Sequence, residues 1–159
     1  MNRLRAIMLL ALIVWIGGII FFAFVLAPTV FTVLPTRELA GNVVNRSLTA
    51  LHWMGLVSGS VFLLASLACN RIRHAQFRAI SAAHILMFAM LALTLVSQFA
   101  IIPRMRSLRS EMGVIDNVSQ SDPRRMEFNR LHEWSTRTEG AVLLCGLAVT
   151  ALTARRFSS

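Results

Sequence analysis

Glu139 makes the strongest chemical demand of any side chain in this sequence. Counting back from Arg155 and Arg156, the uncharged run ends at Gly140, short of the ~20 residues a membrane-spanning helix needs. The span therefore takes in Glu139. A carboxylate at that depth costs roughly 3 kcal/mol or more unless paired, so it belongs in a bundle interior or a polar cavity. Arg46, His52, Gln98, His132 and Ser135 are the polar side chains expected beside it. Two chemistries are open to that set. In the first, Glu139 is neutralised by an arginine, Arg46 first and Arg104 second, and Gln98 joins helices by hydrogen bonding. In the alternative, His52 and His132 bind metal, with Met54, Met105, Met112 and Met126 near the same surface; imidazole and thioether suit copper. Haem would need two histidines at matched depth, which His52 and His84 do not supply. No H-x-x-x-H, C-x-x-C, nucleophilic triad or phosphate loop is present, so the first expectation is a structural, accessory or small-solute-handling protein with a polar pocket at the outer helix ends, no cofactor and no catalysis, and the alternative is a copper- or haem-binding or metal-transport protein.

The elements that must position these residues are four helices built on apolar runs, at about 7–34, 48–69, 79–102 and 123–155, the last with its run from Ser135 to Ala154. Of the 159 residues, 56% are hydrophobic, and each run is long enough at ~1.5 Å per residue to cross a ~30 Å hydrocarbon core. The fold class read from this is all-α: one transmembrane domain, an up-and-down four-helix bundle with helices three and four extending beyond the membrane. The first run is too long for a secretory h-region of ~7–15 residues and reads as a retained helix. Pro103 ends or kinks helix three, and Asp122-Pro123 supplies an N-cap and first-turn pair for helix four.

The net charge is +9, carried by arginine alone. Its placement argues against nucleic acid. Arg3, Arg5, Arg71, Arg73, Arg78, Arg155 and Arg156 flank the helices at one end without an acid among them, as cytoplasmic ends facing anionic lipid do. Multi-pass insertion in a bacterial inner membrane with both termini cytoplasmic is the expected localisation. The bilayer is the expected surrounding, and a membrane-protein partner or homo-oligomer stays open. Cys69 and Cys145 read as small buried hydrophobes.

Periodicity assigns faces. Gly17, Phe21, Phe24, Pro28 and Phe31 form one stripe on helix one, expected to face the bundle, with Pro28 freeing the carbonyl of Phe24. On helix two the stripe is His52, Gly55, Gly59, Phe62 and Ser66. Gly55 and Gly59 form a G-x-x-x-G pair expected to pack on helix one through Gly17 or Gly18. Helix three presents His84, Phe88, Leu91, Leu95, Gln98 and Ile102. Helix four presents Phe128, His132, Ser135, Glu139, Val142 and Gly146.

An ordered set of motifs runs along the chain: Trp15, Gly17, Ala27-Pro28 with Phe31, Ala40-Gly41, Arg46, Pro103 with Met105, Leu108-Arg109, and Phe128-x-x-Leu131-His132-x-x-Ser135. On these residues the chain resembles the transmembrane-protein-205-like family, whose function is unknown. The resemblance implies a four-helix integral membrane protein and brings no catalytic residues with it. A looser likeness in shape to copper-resistance membrane domains supports the metal alternative only.

Overall fold

A computed structural model describes residues 2–72 and 81–158, with the backbone but not the side chains of Ile72, Asp116 and 156–158. Arg73 and Arg78, expected in the turn after helix two, lie outside the described residues. Four rods account for most of the rest: α1 (Asn2–Val33), α2 (Arg37–Ile72), α3 (Ala82–Met112) and α4 (Pro123–Ser158). All four are long and apolar enough to cross a bilayer. They pack antiparallel, α1 most extensively on α2 and α3 most extensively on α4, with α2–α3 and α1–α4 contacts closing the ring. Apolar residues occupy both inside and outside. Leu12, Trp15, Phe62, Met87, Met90, Val142 and Val149 fill the core, while Leu10, Ile13, Leu64, Phe88 and Leu144 are exposed around the bundle. A soluble domain would not leave such a belt, so the chain is a multi-pass integral membrane protein.

Local chemistry sets the helix boundaries. Asp122 caps α4 as expected, its Oδ1 accepting the Arg124 backbone N–H at 2.8 Å, with Pro123 in the first turn where its missing N–H costs nothing. Gly113, at φ 65, ends α3 in a backbone conformation that side-chain-bearing residues avoid. The second helix begins at Arg37, eleven residues before the expected 48. Pro35 breaks the chain, and Thr36 restarts it, its Oγ1 accepting the Leu39 N–H at 3.2 Å. Glu38 in the first turn complements the helix dipole. The connection between α1 and α2 therefore shrinks to 34–36, and Arg46 is placed inside a helix.

Proline does not end either helix it enters. A π turn, Phe22–Leu26, precedes Pro28, and another, Ser97–Ile101, precedes Pro103. In each, the residue before the proline donates its N–H five residues back, Ala27 to the Phe22 carbonyl and Ile102 to the Ser97 carbonyl. One wide turn thus absorbs the donor that proline lacks, and the helix continues. The extra residue also rotates the remainder of the helix about its axis. In α3 the buried stripe runs through Met87, Met90 and Thr94, then takes in both Ser97 and Gln98, and both Ile101 and Ile102. Phe88 and Leu95, expected on the inward face, are exposed.

The outer half of α1 departs further from expectation. Gly17, Phe21, Phe24, Pro28 and Phe31 are exposed rather than bundle-facing, since lipid solvates large apolar side chains as well as a core does. The inward stripe is Met8, Ala11, Leu12, Trp15, Ile16 and Ile19. Gly55 and Gly59 do sit at a close contact with α1, but through the Trp15 indole. A Cβ on Gly55 would collide with Trp15 Nε1, and one on Gly59 would lie 2.8 Å from Trp15 Cζ3 and 2.7 Å from Leu91 Cδ2. Gly17 makes no such approach, and Gly18 meets Met54 and Leu51 instead.

Candidate functional site

The carboxylate of Glu139 is brought inside, as its depth requires, by the α4 stripe of Ser135, Thr138, Val142 and Gly146, all buried. Its partner is a histidine. His52, 1% exposed, stands on the α2 stripe and hydrogen-bonds in two directions: Nε2 to Glu139 Oε1 at 2.5 Å and Nδ1 to Gln98 Oε1 at 3.0 Å. The amide reaches this position because the α3 π turn starts one residue earlier, at Ser97. Three helices are thus joined at one imidazole.

Proton counting fixes the chemistry. With the Gln98 oxygen assigned toward the ring, Nδ1–H donates to it and a second proton lies between Nε2 and Oε1. Whether that proton sits on nitrogen or oxygen, the pair is neutral overall, which is the cheapest way to hold a carboxyl group in hydrocarbon. Charge-assisted bonds of this kind are the short ones.

Arg46 is not part of this set. It is exposed, and Arg104, the second choice, chelates Glu127 through two bonds of 2.8 Å; Arg137, two residues before Glu139, pairs with Glu133 at 2.6 Å. The expected Glu139–Arg46 pair is therefore replaced by Glu139–His52. Arg46 and His52 are six residues apart on a continuous helix, about 240° around the axis, so only one of them can face the bundle.

Ser135 is buried one turn before Glu139, whereas His132 is exposed two turns before it. No hydrogen bond joins His132 to His52 among the described residues, and nowhere among them do three His, Cys, Asp or Glu side chains converge. A copper or haem centre built on His52 and His132 would require His52 to surrender one of its two bonds. His84 lies at the opposite end of the bundle, as its position in helix three requires, with Nε2 on Ser66 Oγ at 2.9 Å and Nδ1 on Ser81 Oγ at 2.7 Å.

Glu139 also borders a cleft. Up to its π turn α1 packs on α2 and α4; beyond it, contact is kept mainly with α2. The space left against α4 is about 1030 Å³, at the upper end of the ~300–1,000 Å³ common for ligand pockets. Ile19, Phe22, Phe24, Leu48 and Leu143 line its apolar part, and His132, Ser135 and Glu139 line the polar seam along α4. Pro28, expected as a packing residue facing the bundle, is exposed and is not among the residues lining this cleft.

Two arginines that the sequence did not single out for this site, Arg109 and Arg125, also line the cleft. Arg109 lies across Gly41, where a Cβ would come within 2.6 Å of its Nη2. Its guanidinium sits 5.4 Å above the Phe128 ring and donates to Asn42 Oδ1 at 3.1 Å. The motif fragments Ala40-Gly41, Leu108-Arg109 and Phe128 are therefore one contact in three dimensions. Their co-occurrence was the available signal, but its spatial meaning was not visible without the early start of α2.

A family model described as a domain of unknown function, DUF4149, matches residues 10–113. The match takes in the motifs from Trp15 to Leu108-Arg109, and with them His52 and Gln98; Glu139 lies beyond it. No curated protein and no solved structure matches the chain.

Proposed function

Starting from the premise that this chain belongs to the DUF4149 family, we propose that it is a non-enzymatic, small-solute-handling membrane protein whose α1–α4 cleft holds the solute. The observation that carries this reading is the meeting of two features at Glu139. A buried, fully hydrogen-bonded polar set would suffice for structure alone; here its carboxylate also borders a cleft large enough for a ligand. Gly140 offers a clean test, because it lines the cleft and a Cβ there would meet nothing within 4 Å. Gly140→Phe should fill the space without disturbing the bundle, and replacing a helical glycine should if anything stabilise α4, by up to about 1 kcal/mol. Native mass spectrometry of the full chain in mild detergent should show a retained small molecule on the parent and none on Gly140→Phe. Glu139→Gln should lower retention while leaving the protein folded. Retention that is equal in Gly140→Phe would refute the cleft as the binding place.

The reading extends to a bacterial inner membrane with both termini cytoplasmic, supported by the acid-free arginines at the terminal end. Ser119→Cys, in the exposed segment between α3 and α4, should label from the opposite side. Labelling from the cytoplasmic side alone would reverse the topology.

A further inference from the structure

The charge distribution around the cleft identifies the class of solute, given that the cleft holds one. Three guanidiniums at this end of the bundle are neutralised by carboxylates: Arg104 by Glu127, Arg124 by Asp122 and Arg137 by Glu133. Arg109 and Arg125 differ. Their hydrogen bonds go to neutral oxygens, Asn42 Oδ1 for Arg109 and the Val118 carbonyl for Arg125, and neither forms a salt bridge among the described residues. Glu38 acts on Arg109 electrostatically without reaching it, and Glu139 is committed to His52. Two partly buried cations therefore border an apolar space without anionic partners of their own.

Their position along the cleft matters as much as their charge. Arg125 is in the first turn of α4 and Leu143 is eighteen residues later, about 27 Å along the axis. One leaflet with its headgroups is about half of the ~40–45 Å bilayer, roughly 20–22 Å, so with Leu143 near the midplane Arg125 stands at the outer edge of the headgroups and its side chain reaches back to them. The cleft is thus net cationic at its outer end, where Arg37, Glu38, Arg109 and Arg125 line it, then lined by His132, Ser135 and the His52-bonded Glu139, and apolar at Phe22 and Leu143. That is the order of charge, ester and chain in a phospholipid.

We propose that the cleft is a binding site for an acidic phospholipid, its phosphate held by Arg109 and Arg125 and an acyl chain lying between α1 and α4. Planar guanidinium groups match phosphate oxygens in pairs, and a chain lying against the partly buried Phe22 and Leu143 occupies the existing cleft.

The inference rests on the cleft reading above, and the test separates the two. The full chain is titrated with dioleoylphosphatidylglycerol and, separately, with dioleoylphosphatidylcholine, and bound lipid is counted by native mass spectrometry. The parent should bind the anionic lipid about tenfold more tightly, a difference of about 1.4 kcal/mol. Arg125→Gln and Arg109→Gln should each erase most of that preference, Arg109→Lys, which keeps the charge but not the planar fork, should retain only part of it, and Gly140→Phe should abolish binding of both lipids. If Arg109→Gln fails to fold through loss of its Phe128 and Gly41 contacts, Arg125→Gln decides alone. Equal binding of the two lipids, lost in Gly140→Phe, would overturn the headgroup assignment and leave the cleft reading standing. Inorganic phosphate displacing the anionic lipid completely would also overturn it, marking a phosphate site rather than a lipid site. A parent dimer that becomes monomeric in Gly140→Phe would assign the cleft to a second copy and overturn it too. Binding untouched by Gly140→Phe would overturn both.

Discussion

His52 and His84 occupy opposite ends of the same bundle, each bonded through both ring nitrogens, and they are not equivalent. His84 meets two serine hydroxyls, which rotate and can either donate or accept, so the ring keeps both bonds in any protonation state. His52 meets a carboxylate and an amide oxygen, which only accept. Its bonds are complete only when the pair holds two protons. What surrounds a buried histidine decides whether it is an adaptable link or a fixed proton count, and the fixed one borders the cleft.

Breaking the fixed cluster should have the largest effect. Glu139→Leu leaves a buried imidazole facing a methyl group and should cost about 3–5 kcal/mol, the range for a buried pair that loses one member. Glu139→Gln, which can still hydrogen-bond to Nε2, should cost no more than about 1.5 kcal/mol. Chemical unfolding in detergent measures both, and equal losses would mean that the carboxylate contributes only its shape. Gly55 and Gly59 lie between the two clusters on α2, so Gly59→Leu tests whether the clusters depend on one packed spine. With Trp15 and Leu91 both within 3 Å of the new Cβ, overpacking should cost about 1–3 kcal/mol. An unchanged melting temperature would separate the ends mechanically. At the adaptable cluster, His84→Ala should cost about 1–2 kcal/mol, because Ser66 and Ser81 can turn to backbone carbonyls. A loss matching Glu139→Leu would erase the distinction between the two histidines. The smallest effect belongs to Asp122, outside the spans. Its bonds to the Arg124 guanidinium and backbone N–H hold its carboxyl at about 2, below the ordinary 3.8. A depressed folded-state value means stabilisation that is present above pH ~4 and lost as pH falls toward ~2. Asp122→Ala should flatten that window while leaving the Glu139 phenotypes unchanged.

Span length alone placed Glu139 inside, and the α2 and α4 stripes followed from helical periodicity. The identity of the partner did not. Arginine is the stronger counter-charge, and with a helix assumed to begin at 48, Arg46 looked like a flexible neighbour of the site. Thr36, Glu38 and Pro35 carried the boundary signal, and extending α2 through Arg46 turns that residue away from His52 by geometry alone. The α1 stripe failed for a different reason: in a membrane, side-chain size does not distinguish inside from outside, so Phe24 and Phe31 could not reveal their face. Gln98 was legible as polar glue, but its convergence with His52 depends on a π turn, and Pro103 signalled only an end or kink there, not which residues the wide turn would rotate inward.

Mechanically, the wide turn before Pro28 is a pivot. The seven residues Ala27–Val33 beyond it form a lever arm of about 10 Å, attached on one side to α2 and free on the other. A change of about 20° in the bend at such a turn would move the tip by about 3.5 Å, close to the thickness of one hydrocarbon chain. The cleft therefore has one wall of uninterrupted helix, α4, and one wall whose direction is set at a single turn of backbone.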